Sequence, residues 1–166
     1  GDLVAALGVF DSGYYDRLGF ANMPYTHRLS FDPAQLVVPT PDRPPHRFDV
    51  SHSELIHASR TRRLRRHGAA NILSAAHTRT EMLERSEALG LGYLDDRGAI
   101  SHHLWGDIKG EHGPFTIWWS SYRSYEELRE LLGLLRSLAD QIHLVNMQEP
   151  YGIVLQDFLK TPFKFR

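Results

Sequence analysis

The chain has 166 residues, 42% hydrophobic and 23% charged, enough to fill one core or a larger and a smaller one. Its 19 basic and 20 acidic residues leave a formal net charge of −1, which argues against a nucleic-acid binder of the basic, histone-like kind. Without cysteine, disulfide scaffolds, cysteine-ligated zinc and thiol nucleophiles are excluded, and no apolar run approaches the roughly eighteen residues of a membrane span.

The apolar run Leu3 to Phe10, closed by Asp11-Ser12-Gly13, reads as a buried strand. Asp11 or Ser12 can cap a short helix from Gly13 to Leu18 that Gly19 terminates, and Phe20 to Phe31 follows as an extended piece. Thirty or so residues are too few to bury a core of their own, so this piece must pack on something else. Pro33, Pro39, Pro41, Pro44 and Pro45 then crowd into one stretch. Each removes a backbone donor and steers its predecessor away from helix, so the stretch reads as a linker. The expected division is a piece at 1–45, linker included, and a body at 46–166.

The body opens on Ser51-His52-Ser53-Glu54, a capping-box spacing, leading into a helix expected to reach Gly68. Thr78 to Leu89 reads as a second helix. Two strands, Leu91 to Leu94 and Ala99 to Gly106, flank the turn-forming cluster Asp95-Asp96-Arg97-Gly98. Phe115 to Tyr122, rich in aromatic and β-branched residues, is a further strand. Ser124-Tyr125-Glu126-Glu127 is another capping box, and Leu128, Leu131, Leu132, Leu135, Leu138, Ala139 and Ile142 form the helical stripe behind it. His143 to Met147 reads as a strand. Pro150 opens a last helix with Tyr151, Val154, Leu155, Phe158 and Leu159 on one face. The class is α+β.

The most informative stretch is Ser12-Gly13-Tyr14-Tyr15-Asp16-Arg17-Leu18-Gly19-Phe20. Its core, Tyr15-x-x-Leu18-Gly19-Phe20 behind a buried strand, resembles the fourth-helix signature F/I-Y-x-x-x-G-F of the GNAT acyltransferases. An amphipathic helix whose tyrosines fill a core is the alternative. In that family the tyrosine matching Tyr15 is the usual general acid, protonating the coenzyme A thiolate as the acyl group leaves. The chemistry is sound: a phenol of ordinary pKa, about 10, is protonated at neutral pH and can donate to a departing thiolate.

A GNAT tail, a proline-containing linker and a second α+β unit together resemble the multidomain acetyltransferases of the enhanced-intracellular-survival (Eis) type. The resemblance runs through Arg62 to Gly68 and Thr78 to Glu81, the hairpin at Gly92 to Gly98, and the closing strand, long helix, strand and Leu155 to Leu159. It implies a GNAT-like mixed, mostly antiparallel sheet flanked by helices. The end of a catalytic domain would lie at 1–45 and a degenerate second GNAT-like domain at 46–166. It implies a bacterial, cytoplasmic homo-oligomer using acetyl-CoA as co-substrate and a small-molecule or peptide amine as acceptor. The cofactor would be bound mainly by residues outside this chain, which would be a trimmed piece and inactive alone. No metal, nucleic acid or membrane enters this reading. A non-enzymatic interaction domain, with Tyr15 a packing residue, is the reading from a different class.

Other motifs are weaker. Arg65-Arg66-His67-Gly68-Ala69-Ala70 formally fits R/Q-x-x-G-x-G/A, the family's pyrophosphate loop, but follows a charged helical pattern and reads as a helix C-terminus stopped by Gly68. The arginines at 60, 62, 63, 65 and 66 read as a solvated or interdomain face, for they lack interleaved aromatics. His52 and His57 are separated around a helix, and His102 and His103 alternate across a strand, so neither pair readily ligates one ion. Trp118 and Trp119 are expected on opposite faces of their strand. No G-x-S-x-G, Walker loop or complete G-x-G-x-x-G occurs.

Overall fold

A computed structural model describes residues 12–21, 26–64, 74–85 and 87–162. The strand expected at Leu3 to Phe10 and the Arg65 to Ala70 pattern lie outside the described residues. The helices are α1 (Ser12–Asp16), α2 (Ser53–Arg62), α3 (Ala75–Leu83) and α4 (Tyr125–Ser137). The strands are β1 (Arg28–Phe31), β2 (His46–Phe48), β3 (Ala88–Leu94), β4 (Ile100–Ile108), β5 (Phe115–Ser121) and β6 (Val145–Gln148). They form one six-stranded sheet in the order β1-β6-β5-β4-β3-β2. Every pairing is antiparallel except β5 with β6, which α4 joins as a crossover.

Each face of the sheet carries its own core. On one face Leu128, Leu131, Leu132, Leu134 and Leu135 of α4 meet Tyr93, Leu104, Phe115, Ile117, Val145 and Met147. On the other, Ile56 of α2 and Met82 of α3 meet Phe48, Ile100 and Trp105. The stripe read from the leucine spacing is the buried face of α4, although the helix ends at Ser137 and Ile142 is buried from the following turns.

The proline-rich stretch, expected as a linker, packs on the body as a strap. Leu36 and Val38 are buried in the α4 core, Val37 N–H donates to Phe158 O at 2.7 Å, and Lys160 N–H donates to Gln35 O at 2.9 Å. Prolines lack donors but keep their carbonyls, and the residues between them still bond. Arg136 of α4 donates to the Val38 carbonyl. β1 likewise joins the body's sheet by pairing with β6. The strap crosses α4 at Gly133, where a β-carbon would collide with the Pro39 carbonyl oxygen.

Four other expectations shift. α2 is entered through a 3₁₀ turn whose cap is Asp49, with His52 completing the capping box, not Ser51 with Glu54. It stops at Arg62, short of Gly68, because Arg63 turns extended and Leu64 N–H bonds to Tyr122 O at 2.7 Å. α3 starts earlier than Thr78, capped by Ser74, and ends at Leu83, since Ala88 and Leu89 pair with Asp107 and Gly106 of β4. Pro150 does not open a helix: Gly152 takes φ +75°, only a 3₁₀ turn forms at Leu155–Phe158, and Tyr151 and Val154 are exposed.

Trp118 and Trp119 share a face. Trp105 pairs with Trp119 and Gly106 with Ile117, so Trp118 is the extra residue of a β-bulge. Both indoles pack on the α2–α3 core.

Alanine for an interior helical glycine ordinarily adds about 1 kcal/mol of stability. Gly133→Ala is expected to do the reverse, lowering stability by about 1–2 kcal/mol, because overpacking outweighs propensity where the strap crosses. Urea unfolding of both proteins measures the sign.

Candidate functional site

α1 is a single turn, and the residues after it fix its tyrosine. Gly19 takes φ +83°, a left-handed conformation that a side chain would strain, and turns the chain back so that Phe20 N–H reaches Tyr15 O at 3.3 Å. The Phe20 ring then meets Tyr15 edge to face at 6.1 Å and 78°, and Tyr14 meets it at 5.2 Å and 87°. The glycine and phenylalanine of the motif thus have separate tasks, one reversing the chain and the other bracing the phenol. Tyr15 is half-buried, neither sealed in the core nor loose in solvent, while Tyr14 and Leu18 are exposed.

His102 and His103 on β4, weighed above only as metal ligands, form two buried polar centres. His102 faces α4. Ser101 Oγ donates to Tyr93 O at 2.9 Å, so it accepts from His102 Nδ1 at 2.9 Å, and this places a proton on Nδ1. His102 Nε2 lies 3.0 Å from Glu130 Oε2 but off the line of a hydrogen bond. Burial lowers the His102 pKa against the opposing pull of Glu127 and Glu130. Arg43 of the strap donates to both Glu130 oxygens, at 2.7 and 2.9 Å, and its hydrogen bond holds the Glu130 carboxyl below the usual carboxylate range. The same guanidinium lies 4.4 Å over the Tyr93 ring, whose phenol is pushed up to about 12, first by burial and then by Glu130. The cluster clamps strap, sheet and helix together.

His103 faces α2. Trp119 Nε1–H donates to its Nε2 at 3.2 Å, so the neutral ring carries its proton on Nδ1 and donates to Ser59 Oγ at 3.1 Å. A serine beside a histidine suggests a nucleophile, yet here the histidine donates where a general base must accept. Ser121 Oγ, 3.1 Å from Ser59 Oγ, donates to the Ser59 carbonyl. Burial, with Arg60 and His102 adding to it, pushes His103 down to about 3. The centre is structural.

The other sequence candidates have local partners. His52 contacts Asp49 at 2.9 Å, His57 contacts Thr78 at 3.0 Å, and His112 stacks on His143. Among the described residues no group of three histidine or acidic side chains is placed to hold a metal ion. Arg60 pairs with Glu81 and lies over Trp119, Arg62 donates to Ile100 O and Arg63 to Arg60 O, so these arginines serve the fold's own contacts. Gly92 leaves room for His103 on the neighbouring strand, since a β-carbon there would collide with His103.

No protein-family model and no curated protein matches the sequence. Solved structures share the fold, and two of them illustrate it. One is a conserved protein from Enterococcus faecalis V583 described as a probable N-acyltransferase, at TM-score 0.72 and 17% identity over 93% of this chain and 40% of its own. The other is a GCN5-related N-acetyltransferase from Kribbella flavida, at TM-score 0.62 and 13% identity over 92% and 38%. The chain spans about two fifths of the length of each. The fold is the expected one: a GNAT-like mixed, mostly antiparallel sheet flanked by helices. No helix among the described residues is long and apolar enough to cross a membrane.

Because the folded pKa of His103, about 3, lies below its unfolded value near 6.5, the unfolded chain takes up the proton first as pH falls. The stability it confers is complete above pH about 6.5 and is lost towards pH about 3. His103→Gln is expected to flatten the fall in unfolding free energy between pH 6 and 4 by up to about 1.4 kcal/mol per pH unit, one proton's worth. Denaturant titrations across that range give the slope.

Proposed function

We propose that the chain is part of an acetyl-CoA-dependent N-acetyltransferase of the multidomain Eis type. In this reading α1 closes the catalytic GNAT unit. The sheet β1 to β6, with the strap, is a second GNAT-like unit, catalytically silent, that shapes the substrate site. The proposed protein is a bacterial, cytoplasmic homo-oligomer, and the acceptor is the primary amine of a small molecule or peptide.

The observation that carries the reading is the bracing of Tyr15. Its ring is held by Tyr14 and Phe20 at the end of a turn reversed by Gly19, beside an exposed apolar surface of Tyr14 and Leu18 on which further protein can pack. In the proposed reaction the amine attacks the thioester carbonyl, a carbon–nitrogen bond forms and the carbon–sulfur bond breaks. Tyr15 gives its proton to the leaving thiolate. The amine's own proton passes to a base outside the described residues.

A physical argument supports reading the second unit as silent. The family holds coenzyme A pyrophosphate on glycine-rich backbone at a strand-to-helix junction. Here the junction from β5 to α4 runs Ser121-Tyr122-Arg123-Ser124-Tyr125-Glu126-Glu127, with no glycine. Ser124 Oγ already accepts Glu127 N–H at 3.2 Å, and the Glu127 carboxylate accepts Arg123 N–H. Hydrogen bonds from its own backbone N–H and from Ser124 hold the Glu126 carboxyl below the usual range. A pyrophosphate there would meet two carboxylates and spent donors. These residues do not fit the group, and no step is assigned to them.

In the complete protein, Tyr15→Phe is expected to lower kcat on the order of a hundredfold with the fold intact, and unchanged turnover would remove Tyr15 from the mechanism. The 166-residue chain alone is expected to show no acetyl-CoA binding by calorimetry. Clear binding would reinstate Arg65 to Ala70 as a phosphate loop.

A further inference from the structure

Among the described residues four arginines lie over aromatic rings, and they divide into two kinds. Arg43 over Tyr93 is bound to Glu130, and Arg60 over Trp119 is bound to Glu81. The other two share Trp118: the Arg85 guanidinium carbon lies 3.3 Å from the ring centroid and that of Arg28 lies 5.8 Å away. Neither guanidinium is hydrogen-bonded or ion-paired to another described residue, and both residues are exposed. A guanidinium held over an aromatic face leaves its in-plane N–H edge free, with five donors on each arginine.

The platform itself is fixed. Trp118 is the bulge residue of β5, and its Nε1–H donates to the nearly buried Asp107, so the indole cannot swing away. Arg28 comes from β1 and Arg85 from the α3–β3 connection, two segments distant in sequence that bring a cation to the same ring. Two guanidinium charges share the ring, beside two carboxylates that already have partners: Asp107, which accepts from the indole, and Asp49 in the adjoining cavity wall. A cavity of about 400 Å³ lies beside Arg85, with Val50, Met82, Leu83 and Ala88 supplying apolar wall and Asp49 and Ser51 completing it. The Asp49 carboxylate is spent on Ser51 and His52.

We propose that Arg28 and Arg85, held over Trp118, form a binding site for an oxyanion, the carboxylate of a small organic acid or the phosphate of a phosphate ester. The cavity takes the apolar remainder of the molecule. Guanidinium edges suit the two or three oxygens of such groups, which can accept bidentate hydrogen bonds. This site does not depend on the acetyltransferase reading.

The test follows the Trp118 indole N–H resonance of the full chain, assigned through Trp118→Phe, during titration with inorganic phosphate and with hexanoate. Sodium chloride at matched ionic strength is the control. A saturable shift with either probe, absent with chloride and weakened at least tenfold in the R28A/R85A variant, is the expected result. Saturation by phosphate points to an ester and saturation by hexanoate to an organic acid. The Trp105 and Trp119 resonances report whether the variant keeps its fold. Shifts that follow chloride for both probes, or undiminished affinity in a folded R28A/R85A protein, overturn the proposal.

Discussion

Strand β4 sits third from one edge of the sheet with a helical layer against each face, and every residue from Ile100 to Asp107 is buried. Any polar side chain on it must find its partners inside the protein, since water cannot reach it. That constraint explains much of the architecture. His102 draws Ser101, Glu130 and, through Glu130, Arg43 of the strap into contact with α4. His103 draws Ser59 of α2 and Trp119 of β5. Asp107 holds Trp118. Three side chains of one strand thereby tie both helical layers to the sheet.

The proton positions on these histidines decide what they can do. Trp119 can only donate, so it turns the Ser59–His103 pair away from nucleophilic chemistry while leaving its distances suggestive. A search on residue types and separations alone would have promoted that pair. The direction of each hydrogen bond rules it out, and chemical interest returns to the surface, to Tyr15 and to the arginines over Trp118.

The sequence was most legible where one short-range rule acted alone. Ser124 caps α4 and the leucine spacing marks its buried face; the Asp95 to Gly98 cluster turns the β3–β4 hairpin; Gly19 ends the turn carrying Tyr15. It misled where distant partners decide. Ala88 and Leu89 continue a helical pattern, but ladder bonds to β4 claim them. The prolines suggested a spacer, but Leu36 and Val38 had a core to enter. Strict alternation separated Trp118 from Trp119 until the bulge put them together. The histidine centres were hidden for the same reason, since burial of β4 on both faces depends on helices remote in sequence.

β1 has a consequence of its own. It is synthesised ahead of the other strands, yet its pairing runs from Arg28 to Gln148 and from Phe31 to Val145, near the opposite end of the described chain. Until β6 leaves the ribosome, β1 has no native neighbour in the sheet, and closing so long a loop is slow. Most of this sheet must therefore be made before β1 can take its place at the edge.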